Sequence, residues 1–210
     1  MVPTNEWYFF TDALDKTTCN KIKKIAGNDW EITEVNTNTT ITDEERKTGR
    51  IIKPSSDPKI RISDIHWTTE QWLYDLIWPY MQQANYDAGW RYDIKSAESM
   101  QITRYKKGGH YGFHNDGCQD HLSVYKKTGS PFLDGHVRKL SMSVMLNDNY
   151  EGGDFQFTSY SKEECSISTP EYGGAGSILV FPSFMEHRVA PVTKGIRYSL
   201  VTWFLGPPFV

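Results

Sequence analysis

Four residues carry the chemistry this sequence can be read for: His114, Asp116, His187 and Arg197. His114 and Asp116 stand two apart in Gly112-Phe-His114-Asn-Asp116. On an extended strand, residues two apart point to the same side, so an imidazole nitrogen and a carboxylate oxygen can aim at one point. His187, in Ser183-Phe-Met-Glu-His187-Arg-Val-Ala-Pro191, is the best candidate for a third ligand. Two imidazoles and one carboxylate on one face of a metal leave three positions open, which suits Fe(II) that must also take a chelating co-substrate and dioxygen. A lone His-x-Asp is common by chance, so the pair needs support from elsewhere. The other histidines, His66, His110, His121 and His136, read as structural or solvated. Of these, His121 is close enough in sequence to Asp116 to stand at the mouth of a site.

The C-terminal run Gly195-Ile-Arg197-Tyr-Ser199-Leu-Val-Thr-Trp203-Phe, ten residues on from His187 (197 − 187 = 10), adds a second feature. Strand alternation puts Arg197, Ser199, Val201 and Trp203 on one face, and Tyr198, Leu200, Thr202 and Phe204 on the other. If the first face is internal, it buries an arginine among apolar neighbours, and a buried charge whose partner is missing costs roughly 3–5 kcal/mol. The planar guanidinium fork suits a carboxylate, so a co-substrate carrying one would meet that need. Solvent exposure, or pairing with an internal Asp or Glu, is equally open on this run alone.

These side chains need elements to position them. Trp7-Tyr8-Phe9-Phe10 reads as a short strand. Asp15 reads as an N-cap, Cys19, Ile22 and Ile25 recur at helical spacing, and Gly27 sits where a C-cap belongs. Residues 34–60 are polar and contain Pro54 and Pro58, the composition of a surface loop that could act as a lid. A second helix is expected from Thr68, with Gln71 as its capping-box partner and Trp72, Leu73, Leu76, Ile77, Tyr80 and Ala84 as its apolar face. Pro79 within that pattern predicts a kink or a break. From Glu98 onward, strand-like runs at 99–106, 110–116, 138–147, 154–158, 176–182, 186–192 and 195–204 are separated by Gly and Pro, as in a β-sandwich or barrel. The expectation is a mainly β chain with flanking helices. One domain spans 1–210, with residues 1–97 as a helical and loop support region and 98–206 as the catalytic β core.

Composition excludes several classes. At 210 residues the chain can bury a real core, and 23% charged residues is ordinary for a globular protein. The net charge of −3 gives no electrostatic case for nucleic acid or an acidic membrane as partner. Three widely spaced cysteines, Cys19, Cys118 and Cys165, do not make a disulfide scaffold or a zinc knuckle. No apolar stretch reaches the length of a membrane span, and the N-terminus shows no leader pattern. A cytoplasmic protein, monomeric or a weak homodimer, is expected. Aromatics reach 14%, enough to fill a core or to line a groove, and composition does not choose between them.

With these residues in view, a family resemblance emerges. Tyr105-x-x-Gly108-x-x-Tyr111-x-x-His114-x-Asp116 resembles the prolyl 4-hydroxylase group of Fe(II)/2-oxoglutarate-dependent dioxygenases, bacterial and phage-type members included. Later blocks agree in order: Arg138-Lys-Leu-Ser-Met-Ser-Val-Met-Leu146-Asn, Glu151-Gly-Gly153-Asp-Phe, Gly176-Ser-Ile-Leu-Val-Phe-Pro182 and His187-Arg-Val-Ala-Pro191-Val-Thr-x-Gly195-x-Arg197. The resemblance covers about residues 95–206. It implies a double-stranded β-helix, or jelly roll, with the metal between two sheets. It implies that His114, Asp116 and His187 bind Fe(II), that Arg197 and Ser199 hold the distal carboxylate of 2-oxoglutarate, and that Tyr105 hydrogen-bonds the same molecule. Arg138, Trp203 and Tyr111 match substrate-contacting positions, with a core aromatic an equal reading of Trp203. Where many relatives carry a second tyrosine for the distal carboxylate, this chain has Met145.

The implied reaction consumes O2 and 2-oxoglutarate, releases succinate and CO2, and hydroxylates an unactivated C–H bond, with ascorbate as an accessory reductant. A peptidyl proline is the expected substrate, and lysyl or other side chains are alternatives within the class. AlkB-like demethylases place their arginine six residues after the second histidine, where this chain has Thr193. Two other classes stay open. One is a zinc hydrolase using the same three ligands, which would need a general base that no His-Glu pair at helical spacing supplies. The other is a jelly-roll metal-binding module without turnover. Tyr125 and Phe132, in the 117–137 segment, would grip a peptide or anchor a loop.

Overall fold

The structure is a computed structural model that describes residues 5–32, 58–116, 124–160, 165–171 and 173–209. Along the chain run β1 (Tyr8–Phe10), α1 (Lys16–Ile25), β2 (Glu31–Ile32), β3 (Arg61–Ile62), β4 (Asp64–Thr68), α2 (Gln71–Asp87), β5 (Ser96–Ala97) and β6 (Met100–Tyr105). They are followed by β7 (His110–His114), β8 (Val137–Met145), β9 (Tyr150–Gly152), β10 (Phe155–Tyr160), β11 (Cys165–Ser168), β12 (Ile178–Pro182), β13 (His187–Val189), β14 (Val192–Gly195) and β15 (Arg197–Gly206).

A large sheet is ordered β1-β12-β8-β15-β6-β4-β2, with β5 also paired to β15. A smaller sheet is ordered β11-β10-β13-β7-β3, and β14 and β9 form a two-stranded ribbon. All the pairings are antiparallel. The two sheets face each other across an apolar layer that includes Tyr105, Met145, Leu179 and Phe181 from the large sheet and Phe155, Phe157 and Val189 from the small one. This is the jelly-roll arrangement.

The other face of the large sheet is covered by the helices. Cys19 and Ile22 of α1, and Leu73, Ile77, Met81 and Ala84 of α2, pack with Met100, Ile102, Leu140, Leu200 and Phe204 of the strands. Alternation along β15 explains both layers at once: Tyr198, Leu200 and Phe204 face the helices, while Arg197, Ser199, Val201 and Trp203 face the small sheet.

The first helix forms as its sequence predicts. The Asp15 side chain accepts from the Thr18 N–H at 2.6 Å, and Gly27 takes φ +48° just past the end. The start of α2 differs from expectation. Thr68 ends β4, Glu70 is the N-cap without a side-chain bond, and Gln71 reaches forward to Asp75 at 2.9 Å. A capping pattern was available, but the pairing of β4 with β6 claims Thr68 first. The helix continues through Pro79 as one assigned element, so no break occurs there.

Strands arise earlier in the chain than the patterning indicates. β1 pairs with β12, β3 with β7 and β4 with β6, so the region before residue 98 builds both sheets as well as the helices. The expected run 110–116 ends at His114, leaving Asn115 and Asp116 beyond the strand. The expected run 186–192 is divided between β13 and β14, with Ala190 and Pro191 between them. Most of the 34–60 loop, and residues 117–123 with His121 and Cys118, lie outside the described residues. Among those described, Cys19 is a free, buried cysteine, and no helix is long and apolar enough to cross a membrane.

Candidate metal centre

His114 ends β7, and His187 begins β13. The two strands are antiparallel neighbours, and His187 is the direct cross-strand partner of His114. Directly opposed residues on one face hold their side chains close, and here the imidazole centroids are 4.2 Å apart. Asp116 lies two residues past His114, its N–H donating to the Ser183 carbonyl at 3.1 Å. That bond ties the chain end to the segment preceding β13. The Asp116 carboxylate consequently sits between the rings, with Oδ1 3.7 Å from His114 Nε2 and Oδ2 3.6 Å from His187 Nε2. One donor atom from each residue falls within 4.8 Å of the others.

The ring orientations are set by the backbone. His114 Nδ1 lies 2.8 Å from the Gly112 carbonyl, and His187 Nδ1 lies 2.8 Å from the Met185 carbonyl. A carbonyl can only accept, so each Nδ1 carries the proton and each Nε2 presents its lone pair to the centre. Burial, followed by the neighbouring His187, pushes the His114 pKa down to about 3, so its imidazole is neutral at physiological pH. Burial alone would raise Asp116. The nearby His187 and His114, with Arg138 and the Ser141 hydroxyl, reverse this and hold its carboxyl below the ordinary range. Aromatic rings lock both imidazoles: Tyr111 stacks on His114 at 3.5 Å, Phe155 on His187 at 5.2 Å, and Phe181 meets His187 edge-on at 4.7 Å. Two imidazoles and a carboxylate converging in this way can bind one divalent ion facially.

The three residues open onto a cavity of about 290 Å³ between the sheets. Across it, on the large sheet, stands Arg197, only 1% exposed. It pairs in register with Tyr105 of β6, while Ser199 pairs with Met145 of β8. Arg197 Nη1 donates to Ser199 Oγ at 3.1 Å, and Nη2 contacts Met145 Sδ at 3.5 Å. Of the alternatives the sequence leaves open for Arg197, the buried, cavity-facing one is the one it takes.

Residues 100–205 match the 2OG-Fe(II) oxygenase superfamily. The chain belongs to that superfamily. PKHD-type hydroxylases are among its relatives. The protein of Xylella fastidiosa (strain M12) is 33% identical over 106 residues, 49% of this chain and 42% of the relative. That of Synechococcus sp. (strain JA-2-3B'a(2-13)) is 33% identical over 114 residues, 52% and 43% respectively. The chain therefore spans less than half the length of the curated relatives it matches. The fold is shared more widely. A Pseudomonas putida prolyl-4-hydroxylase superposes with TM-score 0.60 at 17% identity, covering 96% of this chain and 92% of that one. A Trichoplax adhaerens prolyl hydroxylase, in complex with a peptide fragment of the hypoxia inducible factor oxygen degradation domain, gives 0.63 at 17%, covering 96% and 84%.

The superfamily's metal is Fe(II) and its cosubstrates are 2-oxoglutarate and O2, and the donor chemistry here fits them. The His/Asp/His set is that of non-haem iron, and a buried guanidinium stands across the same cavity. The remaining expected residues, Tyr105, Ser199, Arg138, Trp203 and Tyr111, line this cavity too. Arg138 is held by a two-pronged bond to Glu98, Nε to Oε1 at 2.6 Å and Nη2 to Oε2 at 2.5 Å, and its guanidinium carbon lies 4.1 Å from the Trp203 ring. Burial opposes its charge, but the Glu98 carboxylate more than offsets that and raises the pKa. Burial also pushes the Tyr111 phenol up to about 12, so it stays neutral.

Sequence reasoning missed Arg61, Trp67, Gln101 and Thr103 in the cavity wall. Arg61 Nη2 donates to Gln101 Oε1 at 2.8 Å, and its guanidinium lies 4.5 Å from the Tyr111 ring. Gln101 and Thr103 were recoverable: counting by twos back from Tyr105 along β6 puts both on its face. Arg61 and Trp67 had no such signal, because their strands are only two and five residues long. His66 and His110 are accounted for by contacts of their Nδ1 atoms with the Asp29 and Gly108 carbonyls.

Proposed function

We propose that this protein is an Fe(II)- and 2-oxoglutarate-dependent hydroxylase acting on a residue, most readily a prolyl residue, of a peptide or protein. The observation that carries this reading is the cross-strand pair His114 and His187, with Asp116 between them, facing buried Arg197 across one cavity. His114, Asp116 and His187 hold the metal through Nε2, a carboxylate oxygen and Nε2. Arg197 and Ser199 take the distal carboxylate of 2-oxoglutarate, and Tyr105 donates to the same molecule. With these bound, 2-oxoglutarate is oxidised to succinate and CO2 by O2, one oxygen atom of which enters a substrate C–H bond.

What the chain contributes is charge and position. A single carboxylate ligand leaves the metal site net positive, which favours a dianionic cosubstrate. Phe155, Phe181 and Val189 line the cavity around His187 and keep water from that side. Arg138, Trp203 and Tyr111 would frame the substrate residue. A peptide is supported by a groove of about 470 Å³ that shares Trp67 with the cavity and runs past Glu98, Ser96 and the 68%-exposed Phe132. Such a groove gives room for chain on one side of the modified residue. The Trichoplax relative in fold was captured with a peptide bound.

The test is anaerobic addition of Fe(II) and then 2-oxoglutarate, followed by the visible metal-to-ligand charge-transfer band. Admitting oxygen with a peptide library should give succinate and peptides heavier by one oxygen atom. The His114→Ala variant should lose band and products together. Folded protein that gives neither band nor succinate would overturn the reading. Hydrolysis supported by zinc would favour the hydrolase alternative, and a band without turnover on any peptide would favour a binding module.

A further inference from the structure

Met145 is the cross-strand partner of Ser199, and its sulfur has two contacts of interest. Arg197 Nη2 reaches it at 3.5 Å, and the Tyr150 hydroxyl reaches it at 3.5 Å from β9. Tyr150 lies outside the lining of the metal cavity. It lines a second cavity, of about 340 Å³, together with Met145, Gly153 and Thr169. A thioether accepts hydrogen bonds weakly and swings on several rotatable bonds, so alone it would fix a guanidinium poorly.

Tyr150 is itself firmly placed. It pairs with Gly195 across the β9–β14 ribbon, two residues ahead of Arg197 (197 − 195 = 2). Asn147 fastens the backbone on both sides of Arg197: its Nδ2 donates to the Ile196 carbonyl, and its Oδ1 accepts from the Tyr198 N–H, each at 2.7 Å. The two side chains also converge on Gly153, which takes φ +69°. A Cβ there would stand 3.0 Å from Arg197 Cδ and 3.4 Å from Tyr150 Cε2. The bare backbone of Gly153 is therefore what lets the tyrosine ring and the arginine stem come this close.

We propose that Tyr150 is a positioning residue for Arg197, acting through the Met145 sulfur. The arm Tyr150–Met145–Arg197 fixes the fork that receives the distal carboxylate. This rests on the reading of Arg197 as the 2-oxoglutarate anchor.

The test is a double-mutant cycle read by anaerobic titration of 2-oxoglutarate into Fe(II)-loaded protein. Tyr150→Phe should weaken 2-oxoglutarate binding about 3- to 10-fold, the range carried by one neutral hydrogen bond, with Fe(II) affinity and Tm unchanged. Met145→Leu should weaken it similarly, and the double variant should be no worse than Met145→Leu alone. Pyruvate, a 2-oxo acid without a distal carboxylate, should bind wild type and Tyr150→Phe equally. A merely structural role for Tyr150 would affect both acids. Unchanged 2-oxoglutarate affinity in Tyr150→Phe, or additive losses in the double variant, overturns the arm. A wild-type protein without the band overturns the cosubstrate reading, and the arm with it.

Discussion

Two arginines line one cavity and are held in opposite ways. Arg138, on β8 opposite the far end of β15, has two of its nitrogens filled by the Glu98 carboxylate at 2.6 and 2.5 Å and its flat face on Trp203. Arg197, at the start of β15, meets a serine hydroxyl at 3.1 Å and a methionine sulfur at 3.5 Å. A carboxylate is a far stronger acceptor for a guanidinium than a hydroxyl or a thioether. On the proposed reading, an incoming carboxylate outcompetes the Ser199 and Met145 contacts of Arg197 but has little to gain at Arg138. On that reading, the same residue type builds a wall at one end of the cavity and receives an anion at the other.

The largest expected effect tests the receptor end. Arg197→Ala should weaken 2-oxoglutarate binding about 100- to 1,000-fold, as truncating one partner of a buried charge pair does, while leaving Fe(II) affinity within about twofold. Equal affinity for 2-oxoglutarate in the variant, measured by anaerobic titration, would remove the contrast between the two arginines. Next comes the wall. Glu98→Gln leaves the Arg138 charge without its carboxylate and should cost about 2–3 kcal/mol, the low side for such a pair because both side chains keep some contact with water. That corresponds to a Tm lower by roughly 4–12 °C, with 2-oxoglutarate affinity unchanged. Replacing both partners, in Arg138→Met with Glu98→Leu, should recover most of the lost stability and not the substrate turnover. A Glu98→Gln protein as stable as wild type would mean that the pair is no wall.

How far each end could be read in the sequence follows from the same difference. The shared face of β15 was legible because it obeys local periodicity: Arg197, Ser199, Val201 and Trp203 alternate on a single strand, and the cavity receives all four. His114 and Asp116 were grouped correctly although β7 ends at His114. Their spacing survives because the Ser183 carbonyl captures the Asp116 N–H beyond the strand. The wall was not legible. Glu98 lies 40 residues from Arg138, and nothing in either local pattern announces a pair made by the meeting of a loop and a strand. Arg61 and the strands β3 and β4 were missed for the same reason, since strands of two and five residues gain their stability from pairing with β7 and β6 rather than from their own residues. Thr68 had every local mark of a helix start and was overridden by sheet pairing.

The smallest effect concerns the aromatic floor under the wall. Trp203 lies beneath Arg138 and 6.2 Å from the Trp67 ring, and its buried Nε1 has no hydrogen-bond partner among the described residues. Trp203→Phe keeps a ring face for the guanidinium, at a loss of about 0.5–1 kcal/mol for the poorer π partner. It also removes an indole N–H left unsatisfied, a gain of similar size. The two terms oppose, so Tm should stay within about 3 °C of wild type. The cavity wall nonetheless changes shape where a substrate residue would lie, so KM for peptide should rise about threefold while 2-oxoglutarate affinity holds. A clear drop in Tm with unchanged KM would make Trp203 a core residue. Substrate contact at this end would then fall to Arg138 and Tyr111, and the division between wall and receptor would have to be drawn through β8 rather than along β15.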